Sequence, residues 1–289
     1  MKRWIGSSHR RLGNWTEVLA TFEKCVQLDP RNAASFLTGG PTYDLLRRYP
    51  DAVRMYERAL SLAPDLGAAA INRAWTYVLW QGQLDTLRAA LNRLPKDEEL
   101  TFFGDVTAQR VKLLLWERNA ESLQQLLQIA GRDVFAGQDF FLPSALYAAW
   151  AFQLRGDRVA ARTAFDAARV RLDVTVGERP DDWRVHAARG LALAGLGRRD
   201  AALLEAHWLQ QSLVYREDAF DGPRLAEDRA RILAQAGEAA AALDEIERLL
   251  AGPSWLSANA LRLNPLWDPI REHPRFKTLL AKYGSREVQ

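Results

Sequence analysis

Few side chains in this sequence are of types that perform catalysis or bind metals. There is one cysteine, Cys25, and there are four histidines, at positions 9, 186, 207 and 273. The histidines are far apart, none has a second histidine or a cysteine at a ligand spacing, and so no metal site is predicted. Cys25 could act as a nucleophile, but it occupies a position where the repeat described below has alanine. Packing in the core is therefore the favoured interpretation.

Other catalytic patterns are also missing. The sequence contains no Gly-x-Gly-x-x-Gly, phosphate-loop or Gly-x-Ser-x-Gly motif. The acidic clusters Asp181-Asp182 and Asp97-Glu98-Glu99 each follow a proline closely. We expect them at helix starts, where a carboxylate caps backbone N–H groups and complements the helix dipole. The sequence therefore predicts neither enzyme activity nor a cofactor.

Charge and hydropathy limit the classes of partner. The 39 basic and 36 acidic residues leave a net charge of +3, and the two signs alternate along the chain, so no nucleic-acid partner is expected. A single cysteine in 289 residues is typical of a reducing compartment, which predicts a cytoplasmic location. The most apolar stretch, 140–154, is shorter than the roughly 20 residues of a membrane span. A buried helix is predicted there, and no membrane association.

A repeat of 34 residues is the main signal. Residues 15–30, WTEVLATFEKCVQLDP, align without a gap to residues 49–64, YPDAVRMYERALSLAP. Aromatic residues match aromatic residues, and Cys25 matches Ala59. Small residues at such positions allow two antiparallel helices to pack closely, and a closing proline ends the second helix. The pattern predicts a helical hairpin, which needs stacked neighbours to bury its remaining apolar surface.

Turn-like segments recur later in the chain at wider spacing. They begin at Gly82, Arg118, Gly156, Gly197 and Gly237, and each precedes an apolar series at helical spacing. With the first two units, this predicts seven hairpins and an all-α fold.

The pattern resembles the tetratricopeptide repeat (TPR) in three features: the turn segment Gly13-Asn14-Trp15, the closing prolines Pro30 and Pro64, and the first-helix aromatics Phe36 and Tyr43. The resemblance implies a right-handed superhelical solenoid of about seven TPR-like hairpins over residues 1–260. Residues 261–289 depart from the repeat and are predicted to form a C-terminal capping segment, in which Trp267 and Phe276 cover the last hairpin. Gly39-Gly40-Pro41 falls in a first helix and predicts a helix break.

The concave groove of such solenoids is lined by particular first-helix positions. The resemblance assigns these to Asn72, Trp75, Lys112, Trp150, Gln153, Arg184, Arg224 and Arg231. Trp75 and Trp150 are expected to be exposed apolar anchors, unless a register shift of one residue buries them. The arginines are expected to attract an acidic segment, unless local acids such as Glu227 and Asp228 pair with them. Of the clamp that some family members use to hold an acidic tail, Asn72 is kept, while Thr38, Pro41, Asp105 and Gln109 replace the other positions.

Two functions fit this sequence. The first is a non-catalytic protein–protein interaction scaffold that binds a partner segment, acidic in character, in its groove. The second is a detached sensory or regulatory region, because the carboxyl end and the segment 218–223 are similar to TPR regions of bacterial serine/threonine kinases, adenylate cyclases and winged-helix regulators. Ile5-Gly6 would lie in a first repeat helix, which predicts either that the chain is part of a longer protein or that its reading frame is shortened. Upstream genomic sequence would distinguish the two.

Overall fold

The computed structural model describes residues 2–96, 98–100 and 104–284, and most of these are helical. Seven antiparallel helical hairpins follow one another, which confirms the predicted all-α array. The first four pairs are α1 (Lys2–Arg11) with α2 (Trp15–Leu28), α3 (Ala33–Leu45) with α4 (Tyr49–Leu62), α5 (Gly67–Gln81) with α6 (Leu84–Asn92), and α7 (Val106–Trp116) with α8 (Ala120–Ala130). The next two are α9 (Ser144–Leu154) with α10 (Arg158–Glu178) and α11 (Trp183–Gly195) with α12 (Arg199–Gln211). After the short α13 (Leu213–Glu217), the seventh pair is α14 (Gly222–Gln235) with α15 (Ala239–Ala251).

The 34-residue repeat appears directly in the helix bounds. Helix α2 begins at Trp15 and α4 at Tyr49, and they end at equivalent positions. Ala59 is fully buried where α4 packs against its neighbours, and Cys25 is buried at the equivalent position of α2. The interpretation of Cys25 as a packing residue agrees with this burial.

The predicted break at Gly39-Gly40-Pro41 is wrong, because α3 continues through all three residues. The two glycines instead allow α4 to lie close against α3: a Cβ atom on Gly40 would collide with the ring of Tyr56, and one on Gly39 with the end of Met55. The helix propensity that is lost here is offset by the burial of Tyr56 and the partial burial of Met55.

A two-stranded sheet between the fourth and fifth hairpins was not predicted. Strand β1 (Val134–Ala136) pairs antiparallel with β2 (Phe141–Pro143). The predicted buried helix over 140–154 is therefore wrong at its start, since α9 begins only at Ser144. No helix within the described ranges combines the length and apolar character that crossing a bilayer requires.

The two acidic clusters differ from each other. Asp182 precedes α11 and its carboxylate accepts a hydrogen bond from the Arg184 N–H at 3.1 Å, as a helix cap does. Glu98 and Glu99 lie outside any helix, and Asp97 lies outside the described residues. Capping is thus confirmed for Asp182 and wrong for Glu98 and Glu99.

The carboxyl end returns across the molecule. It comprises α16 (Ala258–Leu263), a 3-10 helix (Pro265–Ile270) and α17 (Pro274–Gly284). Trp267 and Phe276 are both fully buried in the main core, alongside residues of α14 and α15. The division of the chain at residue 260 stays a prediction; α16 runs across that position.

Contacts distant in sequence close the row of hairpins on itself. The Ser254 N–H donates to the Leu45 carbonyl at 3.0 Å, and the Asn259 amide donates to the Trp80 carbonyl at 2.8 Å. At the other end, the Ala219 N–H donates to the Arg11 carbonyl at 2.7 Å. The segment 252–270 therefore lies against the first half of the chain, and the concave side of the array becomes a cavity.

Candidate functional site

The cavity on the concave side has a volume of about 170 Å³ and is partly open to solvent. Its walls come from α3, α4, α5, α7, the β1–β2 turn with β2, α9, α11, α14 and the segment 252–270. Seven of the eight sequence-predicted groove residues line it: Asn72, Trp75, Lys112, Trp150, Arg184, Arg224 and Arg231. The eighth, Gln153, is exposed and lies on a separate surface depression beside Arg118 and Asp268.

Tryptophan and tyrosine rings form much of the cavity wall. The Trp75 indole N–H donates to the Gln109 Oε1 atom at 2.8 Å, and its ring meets Trp116 edge-on with centroids 5.2 Å apart. The rings of Tyr147 and Trp150 also meet edge-on, with centroids 5.4 Å apart. Trp75 and Trp150 keep only 6% and 4% of their surface exposed, so the expectation that they are exposed anchors is wrong. Each is locked by aromatic neighbours and presents part of its ring to the cavity.

The three arginines face one cavity, but they are neutralised. Arg231 pairs with Glu227 and, at 2.8 Å, with Asp228, one turn earlier on α14. Arg224 pairs with Asp139 of the β1–β2 turn. For Arg231 the alternative named from the sequence therefore holds, since Glu227 and Asp228 pair with it. For Arg224 the expectation of unneutralised charge is wrong, because its partner Asp139 lies on an unpredicted turn.

Arg184 is neutralised in the same way. Its guanidinium contacts the Asp182 carboxylate at 2.7 and 2.8 Å and donates to the Gly137 carbonyl at 2.9 Å. The helix cap and the charge partner of Arg184 are thus one residue. The guanidinium also ties α11 to the turn that carries Asp139.

Lys112 differs from the arginines because no carboxylate of the residues that the structure describes pairs with it. Its Nζ atom lies 4.2 Å from the ring centre of Trp75 and 5.5 Å from that of Trp116. Desolvation lowers the pKa of Lys112 to about 8, against the opposing charge of Asp139. At neutral pH the side chain still carries most of its positive charge.

Asp44 is a buried carboxyl group at the α3 side of the cavity. The Tyr56 hydroxyl donates to its Oδ2 atom at 2.7 Å, and the Thr76 hydroxyl lies 2.8 Å from Oδ1. Desolvation raises the pKa of Asp44 to about 7, although both hydrogen bonds oppose the shift. Asn72, which also lines the wall, has a buried Oδ1 atom that receives no hydrogen bond from the described part of the chain.

Sequence reasoning missed several wall residues: Asp44, Trp116, Asp139, Phe140, Phe141, Tyr147 and Trp255. Asp139 and the two phenylalanines lie on or beside the β1–β2 turn. The available signal was Gly137 between two short apolar runs, 134–136 and 140–142, which is typical of a hairpin. Trp255 belongs to the returning segment, and nothing in its local sequence indicates that it reaches the cavity.

The positions that correspond to a carboxylate clamp are used in other ways. Pro41 and Gln109 line the cavity wall. The Asp105 carboxylate caps α7 by accepting the Ala108 N–H at 2.8 Å and pairs with Arg132. The Thr38 hydroxyl donates to a carbonyl of its own helix.

His186 is a candidate from the sequence that lies outside the cavity. His186 stacks on Trp208, with ring centroids 3.7 Å apart, and contacts Glu205 at 2.7 Å through Nδ1. Desolvation alone would lower the pKa of His186, but the bonds to Glu205 and to the Pro180 carbonyl raise it. Within the described part of the chain, no group of three or more His, Cys, Asp or Glu residues could hold a metal ion.

Comparison with known proteins gives one family match. The tetratricopeptide repeat model matches residues 41–70, which include the end of α3, all of α4 and the start of α5. A search of the curated proteins finds no match.

Several solved structures are similar over nearly the whole chain. One is a tetratricopeptide repeat protein from Parabacteroides merdae, at 15% identity and a TM-score of 0.49, covering 93% of this chain and 96% of that one. Another is PilW, a type IV pilus biogenesis factor, at 13% identity and a TM-score of 0.35, covering 96% of each chain. A third is yeast Tom70, at 12% identity and a TM-score of 0.34, covering 97% of this chain and 67% of that one. By its own helices and the match at 41–70, the chain is an all-α array of tetratricopeptide-like hairpins.

Proposed function

We propose that this chain is a non-catalytic protein-interaction module that binds a segment of a partner protein at its central cavity. The observation that carries the proposal is the lining of that cavity, where aromatic rings and cationic side chains from six different hairpins converge. Rigid aromatic residues and arginine are the side chains that contribute most to binding at protein interfaces.

The chemistry of the lining favours an apolar partner side chain next to an acidic one. Trp75, Trp116 and Trp150 offer aromatic surface to the apolar group. Lys112 offers an unpaired positive charge to the acidic group, whereas the arginines are already engaged with carboxylates. The proposal that the partner segment is acidic therefore depends on Lys112 more than on the arginines.

A selection experiment tests this function. Peptides selected from a random display library on the immobilised chain would be measured against Ala187→Phe, which fills the cavity from α11. We expect at least about a ten-fold loss of affinity, because the added ring takes the space of the partner's side chain. Ala167→Phe on the exposed face of α10 is the matched control and should bind as the unsubstituted chain does.

Two outcomes would contradict the proposal: no peptide enriched above background, or selected peptides that bind Ala187→Phe unchanged. A thermal unfolding midpoint close to that of the unsubstituted chain would show that the added ring leaves the fold intact. Ala260→Phe, from the opposite wall, is a second blocking variant if the first is unstable.

The second candidate is a sensory or regulatory region of a signalling enzyme or transcription regulator. It is favoured by one observation: the cavity is closed by the chain's own returning segment, through Trp255, Ala260 and Leu266. A ligand inside would contact both the hairpins and this segment. Its binding would then stabilise the closed arrangement, which is the coupling that a regulatory region needs.

A further inference from the structure

Lys112 is the starting point, because its charge is uncompensated in apolar surroundings. Among the described residues, no carboxylate lies within 4.0 Å of its Nζ atom, and its contacts are the faces of Trp75 and Trp116. The charged groups that influence it come from two other elements: Asp139 on the β1–β2 turn, and Arg224, Glu227 and Arg231 on α14. These carboxylates already pair with the arginines, so among the described lining cations Lys112 is the one without a carboxylate partner.

Cation–π contacts offset only part of the cost of desolvating an ammonium group. A carboxylate that enters the cavity would gain a charge-assisted hydrogen bond to Lys112 without displacing an existing ion pair. The other lining cations, Arg184, Arg224 and Arg231, already have carboxylate partners, so a further anion gains less from their charge. The cavity therefore selects one anionic group at one position.

The size and polarity of the cavity limit what carries that carboxylate. A cavity of about 150 Å³ lined by apolar side chains is large enough for benzene. This one is about 170 Å³ and its wall is largely aromatic and aliphatic. One aromatic ring with a short acidic substituent fits this space.

A second and independent feature is Asn72. Its side chain is 3% exposed, lines the cavity, and has an Oδ1 atom with no hydrogen-bond partner in the described residues. A buried acceptor of this kind costs free energy until a donor reaches it. The occupant therefore carries a hydroxyl or N–H group in addition to its carboxylate.

We propose that the cavity is a binding site for a small hydroxylated or amino-substituted aromatic carboxylic acid, with Lys112 binding the carboxylate and Asn72 accepting from the donor group. The proposal deepens the second function above, because it names the ligand class that a regulatory region of this shape would sense. It does not require that a partner segment binds.

Isothermal titration calorimetry of the full chain with the three isomeric hydroxyphenylacetates tests the proposal. We expect at least one isomer to bind about 10- to 100-fold more tightly than its neutral amide, the range that one charge-assisted hydrogen bond contributes. In Lys112→Met the acid should bind as weakly as the amide, while the affinity for the amide stays unchanged. Lys277→Met removes an exposed lysine of α17 outside the cavity and is the matched control.

Three results would overturn the assignment. One is equal affinity for every acid and its amide. Another is full binding to Lys112→Met, with loss in Arg224→Gln instead. The third is no binding of any acid while selected peptides still bind, which would leave the protein-interaction function standing and the small-acid site refuted. Lys112→Arg keeps the charge and should retain most of the affinity, which separates a loss of charge from a loss of packing.

Discussion

The turns inside the seven hairpins fall into two groups. Five of them have glycine in the left-handed region, Gly13, Gly82, Gly156, Gly197 and Gly237, with φ between 71° and 86°. The other two have arginine at the same point, Arg47 with φ 54° and Arg118 with φ 57°. An arginine in this conformation costs about 1 kcal/mol that glycine does not. The two arginine turns therefore accept backbone strain that the others avoid.

What distinguishes the arginine turns is where their side chains reach. Arg47 donates to the carbonyls of Leu249, Gly252 and Leu256, at 2.7, 2.8 and 3.1 Å, and to the Ser254 hydroxyl at 2.8 Å. Arg118 holds the Asp268 carboxylate through two bonds, at 2.6 and 2.7 Å. Both therefore bind the returning segment that closes the cavity. The comparison indicates that side-chain contacts across the array offset the free-energy cost of the strained backbone at these two turns.

Removing the carboxyl-terminal part of the chain, which includes the end of the returning segment, should have the largest effect. Deletion from Asn264 onward takes away Leu266, Trp267, Ile270 and Phe276, all buried. Each contributes about 1.5–3 kcal/mol by burial, which together is comparable with the whole stability of a domain. We expect aggregation or partial unfolding, measured by size-exclusion chromatography and circular dichroism. A soluble truncation with an unchanged thermal midpoint would contradict the role of this segment.

The hairpin that carries Arg47 also differs by its buried acid, Asp44. The folded-state pKa of about 7 lies above the ordinary value of 3.8, so between these values the unfolded chain releases a proton that the folded chain retains. Stability should therefore be highest below about pH 4 with respect to this group, and should fall by up to about 4 kcal/mol as the pH rises to 7. Asp44→Asn should not show this loss.

The measurement is the free energy of urea unfolding at pH 5 and pH 8, for the unsubstituted chain and for Asp44→Asn. The decrease from pH 5 to pH 8 should be smaller in the variant, since an amide can accept from Tyr56 and donate to Thr76 without titrating. Asp65→Asn, an exposed acid in the next turn, should leave the profile unchanged. If the free energy of unfolding changes equally with pH in Asp44→Asn and in the unsubstituted chain, the raised pKa of Asp44 is refuted.

The hairpins could be predicted from the sequence because each one forms from residues that are close together along the chain. The 34-residue alignment and the turn glycines depend on residues that are neighbours along the chain. The groove positions were also accessible, since helix register places Asn72 and Lys112 on one side. The neutralisation of Arg224 by Asp139 was not, because the two are 85 residues apart and the acid lies on an unpredicted turn. The closed cavity depends on pairs such as Arg118 and Asp268, 150 residues apart, for which a single sequence has no local signal.

Arg47→Gly should be clearly destabilising. The substitution relieves about 1 kcal/mol of backbone strain, but it leaves several carbonyls of the returning segment without a charged donor. We expect a net loss of about 2–3 kcal/mol in the free energy of unfolding. Gly197→Ala, at a turn with open space around it, is the matched control and should cost about 1 kcal/mol from strain alone. A stabilised Arg47→Gly would show that its contacts contribute less than the strain costs.

Arg118→Gly should have the smallest effect, although it changes the same kind of turn. Its partner Asp268 is 40% exposed and Arg118 itself 41%, so the ion pair is screened by water and contributes no more than about 1 kcal/mol. Asp268 also keeps a second partner, Arg271, at 2.8 Å. Strain relief of about 1 kcal/mol should offset the lost pair, and the free energy of unfolding should change by less than about 0.5 kcal/mol. Salt weakens the ion pair but does not change the backbone strain. Arg118→Gly should therefore become more stable than the unsubstituted chain as sodium chloride is raised from 0.05 to 1 M, where the Debye length falls to about 3 Å. Urea unfolding across that range measures the crossover, and a variant that is destabilised equally at both salt concentrations would show that Arg118 holds the segment by packing instead of charge.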